Sequence, residues 1–280
     1  MATRTGTAGP DTLTGTAQSD LIRAGAGDDR ITPLDDDDEI HGGLGLDIVI
    51  YDTAPAGIVA NLQTGVIEDG FGGTDLVDDV EGVTGSRLDD VIRGDGADNV
   101  LDGRAGADTL IGRSGADDLG GDAGPDFLKG GPGRDELRGG DGRDELIGNR
   151  GQDQLFGGDG RDDLAGNRGQ DQLNGGFGSD ELTGGRGGDE FVFDSLLDGL
   201  DTITDFRPGV DSIRITDVFN NELEDVIVGL DAGPEPDSSV LTITPSPDAG
   251  TTDLAILQGI AGGQPLVTVT DDLIIDIAPV

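Results

Sequence analysis

The amino-acid sequence predicts an all-β solenoid built from nine-residue units, and three observations carry that prediction. A nonapeptide period runs without insertion from Gly85 to Val192, and the same frame appears earlier from Gly6 to Ile50. The sixth position of the unit is Asp in every copy but one, and the eighth is apolar in every copy. Glycine is abundant at 52 residues while aromatics are only 3%, too few large side chains for a helical or ordinary two-layer core. High charge with few aromatics also fits disorder. A disordered acidic tract has no reason to hold two columns in phase over twelve consecutive units.

The sixth-position column reads Asp11, Asp20, Asp29, Asp38 and Asp47 in the first block. In the second it reads Asp90, Asn99, Asp108, Asp117, Asp126, Asp135, Asp144, Asp153, Asp162, Asp171, Asp180 and Asp189. The eighth-position column begins Leu13, Ile22, Ile31, Ile40 and Val49. It resumes with Ile92, continues as leucine from Leu101 to Leu182, and closes on Phe191. Residues seven to nine of each unit therefore form a very short strand whose middle side chain points inward. The first six form a turn, in which glycines at positions one and four permit positive φ and let carbonyls converge. Two units make one coil, so turns two units apart stack on the same edge.

Carbonyl oxygens beside a carboxylate suit a hard cation. Calcium takes about 6–8 oxygen ligands, whereas magnesium prefers few protein ligands and keeps its water. Repeats such as GGPGRDELR from Gly130 and GGDGRDELI from Gly139 resemble the RTX (repeats-in-toxin) family, whose consensus is GGxGxDxUx with U a large apolar residue. The resemblance implies a right-handed parallel β-roll with calcium between same-side turns of adjacent coils. Carried over, it makes Asp108, Asp117, Asp126, Asp135, Asp144, Asp153, Asp162, Asp171, Asp180 and Asp189 the surest ligands. Carbonyls of Gly130, Gly131, Gly133, Gly139, Gly140 and Gly142 join them, and Asp11, Asp20, Asp29 and Asp47 are candidates in the first block. Sites shared between stacked turns give an expectation of about eight to eleven calcium ions. Weak or missing sites are expected at residues 33–41 (PLDDDDEIH), at 15–23 with Gln18, at 85–93 with Leu88, and at 94–102 with Ala97 and Asn99.

Between the blocks, residues 51–84 resemble the insert that joins RTX repeat blocks and alternate apolar and polar residues around Ile58, Ala60 and Leu62. They read as short strands extending the roll. Residues 193–280 lose glycine and gain β-branched residues. SVLTIT (239–244) and DLAILQGI (253–260) read as antiparallel strands separated by a proline-containing turn. The closing VTVTDDLIIDIAPV resembles the uncleaved C-terminal signal of bacterial type I secretion, and a solenoid end also needs a cap. The expected organisation is 1–50 first repeat block, 51–84 strand-rich insert, 85–192 second repeat block, and 193–280 C-terminal β cap with export signal.

A formal charge of −41 excludes phosphate-backbone binding to nucleic acid and disfavours anionic membranes. Without Cys there is no disulfide framework, thiolate metal site or cysteine nucleophile. The N-terminal MATRTGTAGPDTL has no apolar signal core, and no apolar run is long enough to span a membrane. Catalysis is not expected. A zinc-protease HExxH motif needs two histidines and the chain has only His41, which reads as a surface residue. No GxSxG elbow occurs. The expectation is a secreted, extracellular bacterial calcium-binding roll that passes a type I exporter and folds on extracellular calcium. The alternative is a structural role in a surface layer, biofilm or adhesion, with self-assembly or a cell-surface partner. A halophilic origin of the acidity explains the charge but not its phase.

Overall fold

The computed structural model describes residues 2–194, 199–207 and 209–215, and beyond them the backbone of five strands, Val226–Ala232, Ser238–Pro245, Thr252–Gln258, Leu266–Val269 and Ile274–Ala278. No helix occurs among the described residues. The chain forms two compact units, Met1–Gly139 and Gly140–Val280. The first division of the chain therefore falls inside the second repeat block.

In the first unit, successive nonapeptides alternate between two parallel sheets. One carries Val91–Arg93, Thr109–Ile111 and Phe127–Gly133, paired in the register Val91↔Thr109↔Phe127. The other carries Ile48–Ile50, Gly82–Thr84, Val100–Asp102 and Asp118–Ala123, also parallel. Partners lie two units apart, as two units per coil require. The insert adds three strands to the first sheet, Val59–Asn61, Val66–Glu68 and Thr74–Asp78, which pair antiparallel among themselves. Their outer members pair parallel with Val91–Arg93 and Glu39–Leu44. Both repeat blocks thus share the sheets of this unit. Only one insert strand, Gly82–Thr84, enters the other sheet.

The second unit repeats the arrangement with longer strands. Glu145–Gly151, Asp163–Gly169 and Glu181–Arg186 pair parallel in one sheet, and Gln154–Gly160, Gln172–Gly178 and Glu190–Phe193 in the other. The expected three-residue strands become seven-residue strands here, because pairing continues into the turns as Asn149↔Asn167, Arg150↔Arg168 and Gly151↔Gly169. Turns of nearly identical sequence adopt the same backbone conformation, so their amides and carbonyls prolong the ladder. At the end of this unit, Thr252–Gln258 pairs parallel with Asp201–Ile203 and antiparallel with Ser238–Pro245, which matches the alternation read from the sequence. The proline-containing turn expected between those strands lies largely outside the described residues.

The core is the eighth-position column. Leu110, Leu119 and Leu128 in the first unit, and Leu146, Leu155, Leu164, Leu173 and Leu182 in the second, are fully buried. Each contributes about 1.5–3 kcal/mol by leaving water. One such side chain per nine residues is a thin core against the entropy of ordering so many glycines. Each unit is a parallel β-solenoid consistent with a right-handed β-roll.

Candidate metal centre

The sixth-position aspartates are buried from Asp20 to Asp189, none more than 3% exposed. Their Oδ1 atoms form a ladder. The Asp90 amide donates to Asp108 Oδ1 at 2.7 Å, Asp117 to Asp135 at 3.0 Å, Asp144 to Asp162 at 2.8 Å, and Asp171 to Asp189 at 3.1 Å. The Asp90 carbonyl in turn accepts from the Thr109 amide at 2.9 Å, so each Asp joins its coil to the next through backbone and side chain together. In the first block Asp11 donates to Asp29 Oδ1, Asp20 to Asp38 and Asp29 to Asp47. Burying a carboxylate is costly unless its oxygens are satisfied, and the ladder satisfies one of the two.

The second oxygen separates two kinds of turn. Oδ2 of Asp29, Asp38, Asp47, Asp108, Asp117, Asp162 and Asp171 is buried and accepts no hydrogen bond. In these turns the second residue has positive φ where the backbone must fold tightly, as at Arg113 (φ 83°) and Asn167 (φ 71°). The Arg113 amide consequently points along the stack to the Gly130 carbonyl at 2.9 Å and not to its own Asp117. In the other kind, the second residue turns its amide inward, and in three of four such turns it adds a hydroxyl. Thr16 donates amide and Oγ1 to Asp20 Oδ2 at 2.7 and 2.9 Å, and Thr7 makes the same pair of bonds to Asp11 Oδ2. Ser86 donates its amide to Asp90 Oδ2 at 2.6 Å and its Oγ to Oδ1 at 2.9 Å. The Asp95 amide donates to Asn99 Oδ1 at 2.8 Å.

Glycine is required where the coils touch. At Gly131 (φ 133°) a Cβ would fall on the Arg113 carbonyl of the preceding coil. The other glycines expected to lend carbonyls also sit at contacts between coils. A Cβ at Gly121 would sit 2.7 Å from the Gly139 carbonyl oxygen, and the Gly140 and Gly142 carbonyls face the α-carbons of Gly158 and Gly160. Gly133 packs on the Gly115 carbonyl. The Gly130 carbonyl accepts one amide and retains a second lone pair.

Burial raises the column carboxyls in both kinds of turn, including Asp90 beneath its Ser86 cap. Burial pushes the Asp162 carboxyl up to about 7, opposed by the Asp144 amide and reinforced by the Asp144 and Asp180 carboxylates. Burial likewise pushes Asp108, Asp117 and Asp171 up to about 6, with Asp90, Asp135 and Asp189 respectively adding repulsion. At Asp20 burial also acts upward, but the Ala2 and Thr16 donors outweigh it and the carboxyl is lowered. Among the described residues no three acidic or histidine side chains gather as a metal cluster. The donors come instead as one carboxylate oxygen per turn beside backbone carbonyls. That donor set is all oxygen and anionic, which fits a hard divalent cation.

Several residues in the ladder escape a strict nine-residue frame. Asp75 Oδ1 accepts from the Asp38 amide at 2.9 Å, Glu81 Oε2 from Asp47 at 3.0 Å, and Asp211 Oδ1 from Asp189 at 3.0 Å. Asp38 itself lies in the unit expected to be degenerate, yet it presents the same uncapped Oδ2 as the regular turns. The signal was present: Asp75, Asp201 and Asp211 each stand two residues before an apolar residue, as in the repeat, but at intervals other than eighteen. In the insert, Tyr51 is buried and donates its hydroxyl to Asp75 Oδ2 at 2.7 Å.

Stacked two-strand coils with a buried carboxylate in each turn define a repeat solenoid of the cation-binding type. The chain belongs to the RTX calcium-binding nonapeptide repeat family, which matches in four copies over residues 5–39, 84–119, 120–155 and 156–191, just over half of the chain. Among solved structures, one similar chain is a subunit of the Azotobacter vinelandii mannuronan C5-epimerase. It is 31% identical, with 43% of this chain and 73% of that chain covered and a TM-score of 0.34. Another is the extracellular lipase LipA of Serratia marcescens, 18% identical with a TM-score of 0.26, where 91% of this chain spans 37% of the lipase. Comparison with curated proteins gives no match.

Proposed function

We propose that the chain is a secreted calcium-binding roll that folds when it meets extracellular calcium, and that it carries no catalytic domain. The observation that carries this reading is the row of buried Oδ2 atoms at Asp108, Asp117, Asp162 and Asp171, each without a hydrogen-bond donor. A calcium ion supplies positive charge and about 6–8 coordination positions. The chain does the rest. The Oδ1 ladder fixes the rotamer of each Asp, positive φ at the second position turns the local amide away, and stacked glycines bring carbonyls to the same edge. Metal-free, the column carries uncompensated buried charge over a thin core, so binding and folding become one process. Calcium-poor cytosol would leave the chain unfolded for a narrow exporter. The organisation that fits is a first repeat block at 1–50, an insert at 51–84, a second block at 85–192, and a cap with a type I export signal at 193–280.

The test is a calcium titration of the metal-free full chain followed by far-UV circular dichroism, with magnesium as control. A cooperative gain of β signal at about 10⁻⁴–10⁻³ M calcium, absent with magnesium, is expected. A metal-free chain that is already fully folded and indifferent to calcium overturns the reading.

A further inference from the structure

The last nonapeptide, residues 184–192, stacks on a turn that departs from the repeat and contains Arg207. Asp189 and Asp211 continue the ladder, with the Asp189 amide donating to Asp211 Oδ1 at 3.0 Å. Both carboxylates are buried. Their remaining capacity is met by one side chain. Arg207 Nη2 donates to the Gly187 carbonyl at 2.6 Å, to Asp211 Oδ1 at 2.8 Å and to Asp189 Oδ2 at 3.2 Å, while Nε donates to Asp211 Oδ2 at 3.1 Å. The Arg207 amide adds a bond to Asp211 Oδ2 at 2.7 Å.

Gly187 and Asp189 are the fourth and sixth residues of their unit, and Asp211 is the ladder partner in the next coil. One guanidinium nitrogen therefore meets a fourth-position carbonyl and the column carboxylates of two stacked turns. Those are the groups that the preceding coil presents through Gly169, Asp171 and Asp189, where Asp171 Oδ2 accepts no hydrogen bond. The nearby Asp205 is already engaged by the amides of Gly184 and Gly185 at 2.9 and 2.7 Å, which leaves Arg207 to answer Asp189 and Asp211. A guanidinium keeps its charge at any pH the chain meets and offers several donors in a fixed plane.

We propose that Arg207 is a built-in cation that fills the terminal inter-turn position of the nonapeptide stack, so that this coil closes without calcium. The proposal rests on the calcium reading above, and it removes Asp189 Oδ2 from the calcium ligands while leaving its Oδ1 in the ladder. Arg207 also gives the stack a closed end at the join between the repeats and the C-terminal strands, independent of the metal supply.

The experiment counts calcium ions on the full chain by native mass spectrometry at saturating calcium, for wild type, Arg207→Gln and Arg207→Lys, with melting curves at limiting and at saturating calcium. Arg207→Gln is expected to take up one ion more than wild type, to melt lower than wild type at limiting calcium, and to recover most of that loss at saturating calcium. Arg207→Lys, which keeps the charge, is expected to hold the wild-type count. An Arg207→Gln chain with the wild-type count, or one that does not fold at saturating calcium, overturns the assignment alone. A wild-type chain that takes up no calcium overturns this assignment together with the calcium reading.

Discussion

The backbone amide of Asp144 donates to Oδ1 of Asp162 across 2.8 Å, while Oδ2 of the same Asp162 is buried and accepts no hydrogen bond. One carboxylate thus does two jobs with two oxygens. The first joins coils, and in the proposed reading the second takes a cation. Substitutions that separate the two oxygens test this division directly.

Asp162→Asn keeps an Oδ1 acceptor for the Asp144 amide and removes the charge from the other side. The calcium midpoint for folding is expected to move up several-fold. Asp162→Ala removes the ladder acceptor as well and is expected to cost about 1–3 kcal/mol in addition. Calcium titrations and urea melts of the two variants check this. Equal behaviour of Asn and Ala would show that the ladder is not a separate contribution.

Acid should replace metal in part. The column carboxyls have folded pKa values raised by burial, to about 7 at Asp162 and about 6 at Asp108, Asp117 and Asp171, above the ordinary 3.8. A raised folded value means the folded state holds its protons more tightly than the unfolded one. Stability from these groups is therefore fully present below about pH 4 and is lost as pH rises through about 6–7. In EDTA, the β signal is expected to be larger at pH 5 than at pH 8, and calcium is expected to abolish that difference. A metal-free signal that is flat over this range argues against buried, unsatisfied column carboxylates.

The hydroxyl-bearing turns should ignore calcium. Thr16→Val retains the branched shape and amide but loses the Oγ1 bond to Asp20 Oδ2. A loss of about 0.5–1.5 kcal/mol is expected, similar at limiting and at saturating calcium. Differential scanning calorimetry under both conditions measures it, and a loss confined to limiting calcium would mean that calcium reaches this turn.

The thin core makes each inward leucine count. Leu155→Ala, at a fully buried position, is expected to cost about 2–5 kcal/mol and to raise the calcium needed for half-folding. A calcium midpoint unchanged from wild type would separate metal binding from folding.

Much of this was legible before any coordinates. The nonapeptide phase fixed the alternation of strand and turn, the inward column from Ile22 to Phe191, and the partner spacing of two units, because each follows from local periodicity alone. Chain-distant pairings were not legible. Whether Asp162 Oδ1 meets an amide one coil away depends on stacking, and Asp75, Glu81 and Asp211 take column places from outside the repeat frame because space, not sequence interval, sets the ladder. The difference between Thr16, which caps its own Asp20, and Asn167, which sends its amide elsewhere, is a choice of φ made when neighbouring coils pack. Composition and period determined an acidic, glycine-turned solenoid. Only the tertiary structure decided which carboxylate oxygens are already satisfied by the chain and which still lack a positive partner, since hydrogen bonding between coils exists only once the coils are stacked.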